Sequence, residues 1–273
     1  MDFKNVKFDI IIQGGQSNAE GCGSGPVTQE LIPSPNAFYL YAEKTVTVDE
    51  ENLHITFHDK PFVIAPAKER EADNGVIVGD FSLSFADEYE KAGLLADDRK
   101  LLIIRAAVGG AGFQKKHWGL QDCLYLKLLE LIDYALSLNE ENRVVGFLWH
   151  QGEHDVFENK GLPYPELYKK YHADLLALFT DVKNKYSGDK FPFIAGGFVS
   201  EYVQRNKEGC AAVLQAMQTV CEEIKNAAVV SSEGLLSNNQ VSGNGDDIHF
   251  CREALYELGK RYYEAYLALT GQA

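Results

Sequence analysis

Five short apolar runs, set apart by longer stretches of helical periodicity, constrain this chain more than any other feature. They are "FDIII" (Phe8 to Ile12), "LLIIRAAV" (Leu101 to Val108), "VVGFLW" (Val144 to Trp149), "FPFIAGGF" (Phe191 to Phe198) and "AAVVSS" (Ala227 to Ser232). Each is nearly continuous in apolar character, as parallel strands covered on both faces are. Between them, Tyr168, Tyr171, Leu175, Leu178, Phe179 and Val182 recur at three- and four-residue steps, with Pro165 suited to a first helical turn. Leu255, Leu258, Tyr262, Ala265 and Leu269 repeat that spacing in a last helix. A further helix is expected over "SLSFADEYEKAG", with Ser82 or Ser84 near its start and Gly93 at its end. This alternation predicts a three-layer α/β/α sandwich around a five-stranded, mainly parallel, doubly wound sheet. The segment from Phe38 to Ala65 breaks the rhythm and reads as a β-rich excursion, a candidate wall for a substrate cleft. With no internal repeat or linker, residues 1–273 are expected to form one domain.

A net charge of −14, with no basic stretch long enough to track phosphates, argues against nucleic acid and anionic membrane as partners. The five cysteines are scattered and form no C-x-x-C pair, so free and mostly buried thiols are expected. The first apolar run, about five residues long, is too short for a signal-peptide core. No segment approaches the roughly 20 apolar residues of a membrane span. A cytoplasmic location is the expectation, and oligomeric state is not legible.

In open α/β sheets, ligands gather beyond the carboxyl ends of the strands. There the chain places "QGGQSNAEG", "GGAGFQKKHW", "HQGEHD" and, after the last run, "EGLLSNNQVSGNGDDIHF". Ser17 follows a Gly-Gly turn as a nucleophile would, although Gly15-Gln16-Ser17-Asn18-Ala19 departs from the G-x-S-x-G elbow; the plainer reading is a helix N-cap. Asp246 lies three residues before His249, close enough to hold the imidazole by Nδ1–H and leave its other nitrogen as a base. The alternative is a capping Asp beside a solvated His. Gln151 could offer its amide to a developing oxyanion, and Gly109 and Gly110 could bring backbone N–H groups close to a ligand. His150-Gln151-Gly152-Glu153-His154 also matches the H-x-x-E-H motif of a zinc hydrolase, against which Gly152 and the preceding strand-like run both count. Trp118 is either a sugar-stacking platform or core. Neither Cys22 nor Cys251 sits on a strand-end turn with donor glycines, which disfavours a thiol hydrolase.

Taken together and in this order, "GQSN" with Ser17, "AxGG" ending in Gly109-Gly110, "WHQGE" from Trp149 to Glu153, and "DDIHF" with Asp246 and His249 resemble one family. It is the SGNH-type carbohydrate esterases that include sialate O-acetylesterases and a group of acetyl-xylan esterases. The resemblance implies the flavodoxin-like SGNH hydrolase fold, Ser17 as nucleophile and His249 as general base. It implies Asp246 or Glu153 as the acid, and an oxyanion hole from the Ser17 N–H, Gly110 or Gly109, and Gln151. Gln16, Asn18, His150 and Trp118 are the expected substrate contacts. The chain departs from the usual pattern at Ala111, where Thr is common, and at His154, where Ser is common; both bear on sugar contacts. The expected function is removal of O-acetyl groups from a small sugar of the sialic acid or xylo-oligosaccharide type, without metal or organic cofactor. The rivals are an idle sugar-binding protein on the same fold and the zinc hydrolase.

Overall fold

The computed structural model describes residues 3–49, 52–72, 75–186 and 190–272. After a short 3₁₀ turn (Phe3–Asn5) come strand β1 (Lys7–Gly15) and a single helical turn, α1 (Ser17–Glu20). A β-rich stretch follows: β2 (Ala37–Tyr41), β3 (Lys44–Asp49), β4 (Asn52–Phe57), β5 (Val63–Pro66), β6 (Arg70–Glu71) and β7 (Ile77–Val78). Alternation then sets in with α2 (Phe81–Lys91), β8 (Arg99–Ala107), α3 (Cys123–Ser137), β9 (Arg143–His150), α4 (Glu153–Glu158) and α5 (Tyr164–Tyr186). It ends with β10 (Phe193–Gly196), α6 (Ser200–Arg205), α7 (Lys207–Glu223), β11 (Ala227–Val230), α8 (Asn238–Ser242) and α9 (Arg252–Thr270).

All five expected strands lie in one sheet, in the order β11-β10-β9-β1-β8, and every pair among them is parallel. The sheet is nevertheless seven-stranded, not five-stranded. β2 adds in parallel to β8, and β5 closes that edge antiparallel to β2. The expected excursion is therefore partly sheet, and what leaves it is the β3–β4 hairpin.

Successive residues of β9 point to opposite faces and show how both are covered. Trp149 packs against Phe179 of α5, whereas His150 meets Phe81 of α2 and Tyr262 of α9. β1, central and covered on both sides, is buried from Phe8 to Gly15. At its amino end the fully buried Asp9 accepts hydrogen bonds from Arg99 Nε at 2.7 Å, Arg143 Nε at 2.7 Å and the Tyr89 hydroxyl at 3.0 Å. A charge taken out of water needs such partners. The start of α2 differs in detail from expectation: Asp80 is its N-cap and accepts from Ser82 N, so Ser82 and Ser84 lie inside the helix.

After β8 the chain crosses over β1 to β9 and then builds outward, so the strand order reverses around β1. The crevice beyond the carboxyl end of β1 is thus the topological switch point where ligands of such sheets bind. Among the described residues, no helix is long and apolar enough to cross a membrane.

Candidate active site

The turn after β1 is set by one close approach. A Cβ at Gly15, where φ is +143°, would lie 2.0 Å from the His150 carbonyl oxygen, and Gln16 N donates to that same oxygen at 3.0 Å. Only glycine lets the β1 and β9 ends meet this way. Ser17 then becomes the first residue of α1, with Gln16 at the cap position making no side-chain cap bond. The hydroxyl of Ser17 is therefore not a cap, and it faces His249.

His249 Nε2 lies 2.8 Å from Ser17 Oγ, while Nδ1 lies 2.9 Å and 3.0 Å from the two carboxylate oxygens of Asp246. With Nδ1–H donating to the carboxylate, Nε2 is left as acceptor for the serine proton. Asn238 Nδ2 donates to Asp246 Oδ2 at 2.8 Å and fixes the carboxylate from behind. Partial burial pushes the Asp246 carboxyl up, but hydrogen bonds from His249 and Asn238 outweigh it and hold it below its ordinary value. Asn238, eight residues before Asp246 in the chain, belongs to no motif that sequence reading singles out. The neighbouring Asp247 turns away to Arg205, at 2.6 Å.

Gly109 sits beside the serine. A Cβ on Gly109 would come within 3.6 Å of Ser17 Cβ, yet the Gly109 N–H is taken by Glu20 Oε2 at 2.8 Å. Gly110 adopts φ +76°, and among the described residues no acceptor takes its N–H. The N–H of Ser17, at the start of α1, has no intrahelical partner either. Gln151 is corrected from its expected place. It is fully buried, and its amide nitrogen donates to Asp155 Oδ2, to Gln16 Oε1 at 3.2 Å and to Ala111 O at 3.3 Å, so its hydrogens brace the loop.

A cleft of about 820 Å³ opens along Val108, Gly109 and Glu20. Its walls are Tyr39 and Tyr41 of β2, Lys44 and Val46 of β3, Ala65 of β5, and Lys68, Arg70 and Ile77 beyond. The Phe38 to Ala65 stretch thus lines a cleft beside the serine. Leu53 of β4 lies 3.7 Å from where a Gly110 Cβ would sit.

A model of the family described as carbohydrate esterase, sialic acid-specific acetylesterase matches residues 7–268. The chain belongs to this family. The esterase is accordingly a carboxylic ester hydrolase of a family that removes O-acetyl groups from sugars. Among solved structures it is similar to NanS, at 18% identity over 98% of both chains with a TM-score of 0.72. A protein from Arabidopsis thaliana shares 18% identity over 95% of this chain and 98% of its own, with a TM-score of 0.67. A carbohydrate acetylesterase from Xanthomonas citri shares 14% identity over 97% of this chain and 57% of its own, with a TM-score of 0.57. At these identities the structural likenesses speak for the fold. No curated protein sequence matches the chain.

In the esterase the remaining expected residues are turned into the protein interior. Trp118 is fully buried, donates Nε1–H to Gly15 O at 3.2 Å and packs edge-on against Trp149. His150 is fully buried too, with Nδ1 3.2 Å from the Tyr262 hydroxyl. Gln16 turns inward, its Oε1 accepting from Gly152 N at 3.3 Å and His154 N at 3.2 Å. Asn18 is fully buried and bonded to Glu153 and to residues on either side of His249. Glu153 does not touch His249; its contacts run to Asn18 at 2.8 Å and His150 at 3.4 Å.

The H-x-x-E-H reading needs both histidines on one helix, whereas His150 ends β9 and His154 lies in α4, 3.3 Å from Glu158. Among the described residues, no group of three or more His, Cys, Asp or Glu is placed to hold a metal ion. All five cysteines are free, and burial pushes the Cys22 thiol up to about 11, far from the thiolate a nucleophile needs.

Proposed function

We propose that this esterase removes an O-acetyl group from an acidic sugar by a Ser17-His249-Asp246 acyl-enzyme mechanism. The observation that carries the reading is the imidazole of His249 set between Ser17 Oγ at 2.8 Å and Asp246 Oδ1 at 2.9 Å. His249 Nε2 takes the hydroxyl proton as Ser17 Oγ adds to the acetyl carbonyl. The N–H groups of Ser17 and Gly110 hold the oxyanion, each contributing about 3 kcal/mol to the transition state. As the tetrahedral intermediate collapses, His249 returns the proton to the departing sugar oxygen, leaving acetyl-Ser17. Water then adds to that ester with His249 as base, acetate leaves, and the Ser17 hydroxyl is restored.

The leaving sugar lies in the cleft beside Gly109. Lys44, Lys68 and Arg70 gather there in a chain whose net charge is −14. Of the acidic groups in the same walls, Glu20 meets Lys44 at 3.3 Å and Glu69 is bound by Arg252 and Tyr256, which leaves Lys68 and Arg70 against Glu71. This balance supports a leaving group that bears a carboxylate, as a sialic-type sugar does, over a neutral xylo-oligosaccharide. Rapid quenching of the reaction on an acetylated sialic-type sugar, followed by peptide mass analysis, should find the acetyl group on the peptide containing Ser17. An acetyl group on another residue, or turnover without any acyl-enzyme in both wild type and variants slowed in deacylation, would sink the mechanism.

A further inference from the structure

We propose that Glu153 is a positioning residue that sets the catalytic base His249 through the side chain of Asn18, a role that rests on the serine-esterase reading above. His249 lies between α8 and α9 outside any named helix or strand, its carbonyl accepting from Asn238 N at 2.9 Å beside an isolated bridge of Phe250 to Ser237. Asn18 adds a hold from the side of the nucleophile. Its Oδ1 accepts from Phe250 N at 3.1 Å and its Nδ2 donates to Ile248 O at 3.2 Å, so one side chain grips the residues on both sides of His249. Asn18 is also the chain neighbour of Ser17, so the same grip ties base to nucleophile.

The grip works in one orientation only. With the amide reversed, Nδ2 would meet the Phe250 N–H and Oδ1 would meet the Ile248 carbonyl, two repulsive contacts in place of two hydrogen bonds. Glu153 Oε1 accepts the second Nδ2 hydrogen at 2.8 Å, and a carboxylate, which can only accept, excludes the reversed amide. Glu153 is itself anchored. It begins α4, its carbonyl accepts from the Tyr202 hydroxyl at 2.7 Å, and His150 Nε2 stands 3.4 Å from Oε1. Burial pushes its carboxyl up, but His150 and Asn18 outweigh that and hold it below its ordinary value. Asn18, His150 and Glu153 are all fully buried, so nothing here touches substrate.

Two readouts test the role. In the first, kcat and KM are measured on p-nitrophenyl acetate for Glu153→Ala, Glu153→Gln, Asn18→Ala and the double Ala variant. Misplacing a catalytic group by about 1 Å costs about 100-fold, so kcat should fall by about that factor in Glu153→Ala and Asn18→Ala with KM little changed. The double variant should be no slower than Asn18→Ala alone, and Glu153→Gln, which keeps an acceptor, should recover most of the rate. Should Glu153→Ala fail to fold, Asn18→Asp carries the test. It sets two carboxylates face to face, and adding Glu153→Gln, which can donate, should restore part of the lost rate.

In the second readout, the low-field proton resonance of the His249 Nδ1–H reports the bond to Asp246 without turnover. It should persist in Ser17→Ala and be lost or broadened in Asn18→Ala. An unchanged kcat in folded Glu153→Ala, multiplicative losses in the double variant, or an intact His249 resonance in Asn18→Ala would overturn the proposal. Full activity in Ser17→Ala would overturn the serine reading instead.

Discussion

The Glu20 carboxylate accepts the Gly109 N–H at 2.8 Å, whereas among the described residues no acceptor takes the Gly110 N–H. In the proposed mechanism the two glycines of one motif have different jobs, one tethered and one presenting. Glu20 is in turn approached by Lys44 at 3.3 Å, which joins the tether to the wall of the cleft.

If Gly110 is the presenting donor, Gly110→Ala should lower kcat by about 100-fold or more, the usual loss for one oxyanion donor. The added Cβ is strained at φ +76°, and the N–H shifts as the backbone relaxes. Glu20→Ala frees Gly109 and should cost less, about tenfold, seen in kcat and not in KM. Steady-state kinetics on p-nitrophenyl acetate separates the two, and equal losses would contradict the division of labour.

Asp246→Asn keeps the shape of the site but lets the amide present a donor to His249 Nδ1, favouring the wrong tautomer. The expected loss in kcat is about 10³- to 10⁴-fold with KM little altered. Because the Asp246 carboxyl is held below its ordinary value, its contribution to stability is present above the unfolded value and is lost as pH falls through the folded one. Acid unfolding of Asp246→Asn should therefore lack that loss.

Lys68→Ala combined with Arg70→Ala removes two cations from the cleft without touching Ser17 or His249. KM for an acetylated sugar carrying a carboxylate should rise by about tenfold, and hydrolysis of the neutral p-nitrophenyl acetate should not change. An equal effect on both substrates would show that the cations do not read the sugar.

Burial pushes the Asp155 carboxyl up to about 6, against hydrogen bonds from Gln114 N, Gln151 and Phe113 N. Between the unfolded value of about 4 and the folded one, the native state keeps a proton that the unfolded chain releases. Stability from this group is full below the unfolded value and falls as pH rises to about 6. Compared with the non-titrating Asp155→Asn, wild type should lose on the order of 3 kcal/mol across that window, read by urea unfolding at several pH values. A difference that does not vary with pH would contradict this assignment.

What was legible in the sequence follows from range. The five central strands announce themselves because burial on both faces demands apolar residues throughout, and Asp246 and His249 because three residues of spacing already bring them together. β2 and β5 were absorbed into an excursion, since an edge pair that shares its segment with an exposed hairpin leaves no single period to read. Gln16, Asn18, Trp118 and His150 were expected at the substrate because a polar or aromatic residue at a strand end looks the same whether it faces the cleft or the interior. The structure sends all four inward, with at most 2% of any of them exposed. Glu20 and Asn238 carry no motif, and their partners Gly109 and Asp246 become neighbours only through the fold.

The most direct test compares p-nitrophenyl acetate hydrolysis by wild type, Ser17→Ala and His249→Ala, each confirmed as folded by circular dichroism. Loss of a nucleophile or its base from such a triad removes about 10⁶-fold in kcat, and both variants should fall by that order. A Ser17→Ala protein that keeps the wild-type rate would contradict the account.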